Sequence, residues 1–135
     1  MSQETDDGPL KRLLFDTVEG IEELEILAWF AKGNESGDSE VIARSVALPA
    51  DALCAALERL STGGLLEPSP EKPGEFRPAT KPATARLAAL VVSEYRANPA
   101  RVMKLMTENA IERVRTAALH TFAESFRIRK PRGNG

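Results

Sequence analysis

Residues 40–66 read EVIARSVALPADALCAALERLSTGGLL, and the rest of the chain is best understood outward from them. Val41, Ile42, Ser45 and Val46 recur at helical spacing as an expected inner face, with Ala43 small enough for close helix contact. Asp38 or Ser39 stands just ahead as a cap. Leu48 is expected to plug a turn and Pro49 to start a second helix. Asp51 then falls in a first turn, where the helix dipole favours an acid. Leu53, Ala56, Leu57 and Leu60 form one apolar stripe at spacings of three and four. Ser61, Thr62, Gly63 and Gly64 end it. The pattern predicts a helix, a tight turn, a helix and a glycine break.

Residues 65–80 read LLEPSPEKPGEFRPAT. Leu65 and Leu66 suit a short strand, residues 70–74 a tight turn, and Phe76 with Arg77 a return strand. The prolines confine such a hairpin to a sheet edge. Upstream, Pro9 is expected to open a short helix carrying Leu10, Leu13, Leu14 and Phe15. A second helix from about Ile21 to Lys32 carries Ile21, Leu24, Leu27 and Ala28, joined by Ile26, Trp29 and Phe30. The stretch GNESGD after it reads as a loop.

Downstream, residues 81–97 predict a helix with Leu87, Leu90, Val91 and Tyr95 inward. Asn98-Pro99 is a restart signal. The last helix is expected to run to about Arg129, roughly 45 Å at 1.5 Å per residue. Met103, Met106, Ala110, Val114, Ala118, Phe122 and Phe126 form a continuous stripe on it, widened by Ile111 and Leu119. That length exceeds what a small domain covers by itself. The stripe reads as a homodimer seam in preference to a lipid or small-molecule groove. The expected organisation is a disordered N-terminus over residues 1–8, one folded domain over 9–80, a helical extension over 81–130 for packing or dimerisation, and a disordered tail over 131–135.

The totals fit this picture. A chain of 135 residues, 42% hydrophobic but only 5% aromatic, has room for one domain with an aliphatic core. No apolar run approaches the roughly 20 residues of a membrane span, and MSQETDDGPL lacks the basic and apolar regions of a signal peptide. The single cysteine, Cys54, makes no internal disulfide, which suits a cytoplasmic setting. The net charge of −2 hides an asymmetry. Residues 1–40 carry three Lys/Arg against eleven Asp/Glu, residues 41–80 four against five, and residues 81–135 eleven against four. The acidic front and the basic rear (net −8 and +7) can attract within one chain, across a dimer, or through a polyanion held at the rear.

With those residues in view, the chain resembles bacterial winged helix-turn-helix proteins of the MarR-like transcriptional regulator type. The resemblance rests on Val41-Ile42-Ala43, the turn Val46-Ala47-Leu48-Pro49, and Ala56-Leu57-Glu58-Arg59-Leu60 followed by Gly64-Leu65-Leu66, with Ile21–Leu27 like the first core helix of such domains. The tail Phe122–Lys130 looks like the end of small bacterial proteins carrying this domain. The resemblance implies a mainly α fold with a short β-hairpin wing. It also implies a second motif helix in the DNA major groove, a wing on the backbone, and subunits paired through helices outside the motif. The residues available to DNA are Arg44, Ser45, Arg59, Lys72 and Arg77, with Arg127, Arg129 and Lys130 in the tail. The outward positions of the second motif helix are Ala50, Asp51, Cys54, Ala55 and Glu58, none suited to reading base edges. The expected function is therefore a dimeric, DNA-associated transcriptional regulator. The alternative is a protein-interaction module that uses those five residues on a partner and leaves DNA sequence unread.

Catalytic chemistry finds little footing. His120 is the only histidine, and no C-x-x-C, H-E-x-x-H or close carboxylate cluster accompanies it. A solvated helix position is the preferred reading, with no metal, no cofactor and no enzyme expected. Cys54 as a sensor would need positive surroundings, yet Asp51 and Glu58 stand one turn either way. Gly63-Gly64 lacks the Lys and Ser/Thr of a phosphate loop and reads as a helix stop. Glu19, Glu22, Glu23 and Glu25 read as a solvated acidic face, with a basic partner as the second choice.

Overall fold

A computed structural model describes the backbone of residues 7–134 and the side chains of residues 7–126. The elements in order are α1 (Asp7–Thr17), α2 (Ile21–Ala31), β1 (Gly37–Asp38), α3 (Ser39–Val46), α4 (Ala50–Thr62), β2 (Leu66–Pro68), β3 (Glu75–Pro78), α5 (Pro82–Ala97) and α6 (Pro99–Asn134). The chain is mainly helical with one small antiparallel sheet, ordered β1-β3-β2. Gly37 stands opposite Phe76 in that sheet, and Glu67 opposite Arg77.

Local signals explain most of these boundaries. Asp38 caps α3 by accepting the Val41 amide at 2.9 Å. Ala47 then turns left-handed (φ 58°, ψ 46°), and the Leu48 amide closes on the Ala43 carbonyl. A β-carbon in that conformation is crowded by the following carbonyl, and Pro49 immediately resumes extended geometry before α4. Gly64, at φ 83°, brings the Leu65 amide back to Leu60 and so delivers the chain into β2. Asn98 starts α6 with its side chain on the Arg101 amide.

The core sits where α2, α3, α4 and the sheet converge. Leu24, Ile26, Ile42, Leu53, Leu57, Leu60 and Leu66 are fully buried there. The expected stripe on α4 is buried throughout, while Leu48 is half-buried against the core. Five expectations need correcting. Val41 and Ser45 are exposed, because α3 turns only Ile42 fully inward and leaves Ala43 and Val46 half-buried. GNESGD is not all loop: Gly37 and Asp38 pair with β3. Leu87 and Leu90 face solvent, since α5 packs through Val91, Val92 and Tyr95. Asp7 is ordered, because it accepts Arg101 at 2.7 Å and so starts α1 before Pro9. The helical backbone of α6 also continues through residues 131–134, beyond the expected stop near Arg129.

The extension is attached to the domain over its first half only. Val102, Leu105 and Met106 enter the common core. Asn109, buried, donates to the Lys11 carbonyl, which fixes the register of α1 on α6. Lys11 meets Glu108 at 3.1 Å. Arg113 stacks on Phe15 at 4.5 Å and donates to the Phe15 carbonyl.

On α5, the Tyr95 hydroxyl donates to Glu25 of α2. Burial first, and the adjacent carboxylate second, push that phenol up to about 12, against about 10 in an unfolded chain. Stability from the neutral phenol is thus fully present below pH 10 and lost as pH rises from about 10 through about 12. Tyr95 is the only tyrosine, so phenolate absorbance reports it alone. Alkaline unfolding should track that absorbance in the parent chain, and Tyr95→Phe should remove this part of the pH dependence.

Candidate functional site

The outward face of α4 is the site that the sequence singles out. Ala50, Asp51, Cys54, Ala55 and Glu58 are all exposed on it, side by side at spacings of three and four. The opposite face of the same helix is the core stripe, so α4 is held rigidly while its outer side stays open. That outer side carries methyl groups, one thiol and two carboxylates, with no basic or amide group among the five.

Arg59 belongs to α4 but not to this open face. Its Nε donates to Glu23 at 2.9 Å, and Glu19 lies 3.8 Å away. The hydrogen bond to Glu23 is the main reason that the Arg59 guanidinium is pushed above its ordinary range. Glu23 itself is 1% exposed. Its other oxygen accepts the Gly20 amide at 2.6 Å and the Glu19 amide at 2.8 Å, which closes the N-terminus of α2. One carboxylate thus finishes a helix start and holds a cation 36 residues away. Sequence reasoning placed Glu23 on a solvated acidic face. Its position three residues after Gly20, where a glutamate reaches back to cap a helix, was the available signal.

Beside this pair lies an open cleft of about 550 Å³, bounded by Phe15 and Asp16 of α1, Glu19 and Glu23, Ala55, Glu58 and Arg59 of α4, and Arg113 of α6. Its cations are already engaged, Arg59 with Glu23 and Arg113 with backbone carbonyls.

The hairpin engages its cation in the same way. Arg77 meets Glu67 directly across the strands at 3.1 Å. Glu67 also accepts the Thr80 amide and hydroxyl at 2.9 and 3.0 Å. Those Thr80 bonds, followed by Arg77, hold the Glu67 carboxyl below its usual range. Ser45 donates to its own helix, at the Val41 carbonyl. Of the expected DNA contacts, the side chains of Arg44 and Lys72 remain exposed and without a hydrogen bond or ion pair among the described residues. The side chains of Arg127, Arg129 and Lys130 lie outside the described ones.

The expected dimer seam divides in two. Met106 lies in the chain's own core, whereas Met103, Ala110, Val114, Ala118, Phe122 and Phe126 are exposed. His120 is exposed on α6, and no metal-binding group of three His, Cys, Asp or Glu occurs among the described residues. No helix among them is long and apolar enough to cross a membrane. No protein-family model, curated protein or solved structure matches the chain.

Proposed function

We propose that this chain is a winged-helix protein whose second motif helix docks a protein partner and does not read DNA sequence. The element order supports the scaffold: α2, a short strand, α3, a tight corner, α4 and a hairpin, with that hairpin as the wing. The observation that carries the docking reading is the capture of Arg59 by buried Glu23. It withdraws the only cation of α4 from any groove that the helix would enter. The remaining face, small and acidic, suits a partner surface of apolar ridges edged with Lys or Arg.

A DNA-associated bacterial regulator is the second reading. It is favoured by Arg44 and Lys72, exposed and unpaired among the described residues. Two to five phosphate contacts would give a log–log salt slope near −0.9 for each.

One pair of measurements separates the readings. On the docking reading, gel shifts at low salt show no sequence-preferring complex, and Ala55→Arg abolishes retention of the partner that the parent chain holds, without loss of helical circular dichroism. A sequence-specific complex abolished by Arg44→Ala or Lys72→Ala would instead establish the regulator.

A further inference from the structure

We propose that the outer half of α6 lies flat on a surface of anionic lipid headgroups, with its apolar stripe sunk into the acyl boundary. Every residue from Val114 to Ala123 is exposed, so this stretch stands off the domain as a single helix. An isolated helical arm of that length is marginal in water. Yet it carries Val114, Leu119, Phe122 and Phe126 at 56–70% exposure, and Ile111 at 55%. The rings of Phe122 and Phe126 lie 4.7 Å apart and form one aromatic patch.

The stripe points away from the rest of the molecule. Val102, Leu105, Met106 and Asn109 are the residues of α6 turned to the chain's own core. At about 100° per residue, Ile111, Ala118 and Phe122 lie within about 20° of the direction opposite Val102. From Val114 to Leu119 the apolar side chains span about 140° of the helix surface, broader than the narrow seam of a helix pair. Arg115 and Ser125 are the polar residues inside that arc, and Arg115 has the length to keep its guanidinium at headgroup level. On the opposite side, α1 packs through Lys11 and Phe15. A flat-lying arm therefore keeps the domain clear of the lipid anions, which residues 7–40, with nine Asp/Glu against three Lys/Arg, would repel.

Charge selects the occupant. Residues 111–132 hold six Lys/Arg against two acids, and four of the six fall in residues 127–132, which contain no acid. A second copy offers these cations little. Glu108 and Glu112, the acids of α6 that an antiparallel copy would bring near them, already meet Lys11 and Arg115 at 3.1 and 3.3 Å. Parallel copies would crowd the two basic runs together. Lipid phosphates, by contrast, are available along the whole arm. A basic run joined to an amphipathic helix bearing Phe and Leu is the pattern that an anionic lipid surface takes up.

This inference rests on α6 alone and stands independently of what α4 docks. The full chain should float with vesicles of phosphatidylglycerol and phosphatidylcholine in equal parts, stay behind with phosphatidylcholine alone, and detach as salt is raised. Val114→Glu with Phe122→Glu should weaken that binding at least about 100-fold. Helical circular dichroism in solution should be retained, since both side chains are exposed. The seated side is read by an environment-sensitive dye on a single thiol in a Cys54→Ser background. Emission from Ala118→Cys should move to the blue when phosphatidylglycerol vesicles are added. Emission from His120→Cys, roughly opposite on the helix, should not. A chain left behind by phosphatidylglycerol vesicles overturns the proposal, as does equal flotation with phosphatidylcholine alone. Binding unchanged by Val114→Glu with Phe122→Glu overturns it too, because the basic run alone then holds the lipid. A dimer in light scattering that ignores vesicles overturns it as well, and assigns the stripe to a second copy.

Discussion

Glu23→Ala should lower the stability of the chain by about 3 kcal/mol, a drop of roughly 10 °C in Tm for a domain of this size. Removal of the carboxylate takes the acceptor from the Glu19 and Gly20 amides and the partner from Arg59 at one stroke. Fully buried ion pairs lose about 3–5 kcal/mol when one partner goes. Here Arg59 is 38% exposed and can turn to water, which holds the loss to the lower end. Glu23→Gln keeps an acceptor for the amides but not the charge, so it should fall between. Exposed Glu58→Ala is the control, expected within about 0.5 kcal/mol. Urea midpoints on the three variants provide the measurement. A Glu23→Ala chain as stable as Glu58→Ala would mean that the pair does not hold α4 to α2. Release of Arg59 also has a functional readout. Glu23→Gln should raise non-specific DNA affinity, with the log–log salt slope steepened by no more than about 0.9.

Gly37→Val should cost about 1–3 kcal/mol by overpacking. A β-carbon on Gly37 would meet the Trp29 ring at 2.6 and 3.0 Å and Ile42 at 3.4 Å. Trp29 has little room to yield: it is buried and packs edge-on against Phe30 at 4.9 Å. The missing side chain at Gly37 is what allows β1 to lie over α2 and pair with Phe76 of β3. Trp29 is the only tryptophan, so its fluorescence reports the disturbance. Gly37→Val should shift the emission and lower the urea midpoint, whereas Glu35→Ala, two residues earlier and exposed, should do neither. An unchanged spectrum and midpoint for Gly37→Val would show that β1 moves freely away from the ring.

These two positions mark the limit of what could be read from residues alone. The α4 stripe, the Asp38 cap, the corner at Leu48-Pro49 and the proline-bounded hairpin were all legible. Each is a local pattern with a local physical cause, and each stands close to where it was expected, with two corrections: Pro49 precedes α4 in extended geometry and does not start it, and β3 of the hairpin pairs on both sides as the central strand, not at the sheet edge. Gly37 was not legible, because a two-residue strand has no periodicity and its pairing depends on a ring eight positions earlier. Nor was the Glu23–Arg59 pair, since burial of a carboxylate depends on a cation that only the packing of α2 on α4 brings near. The α6 stripe was half legible. Apolar residues there serve opposite sides in successive stretches, so one continuous spacing joined Met106, which is internal, to Phe122, which is not.

The lone thiol offers a practical opportunity. Cys54 is exposed near the middle of the outer side of α4, and no second cysteine competes with it. A maleimide dye therefore attaches at one known point, on the surface that the docking reading requires to be covered. Protection of that point against alkylation would register occupancy with the natural sequence intact, and its rate would rank candidate binders before any of them had been crystallised.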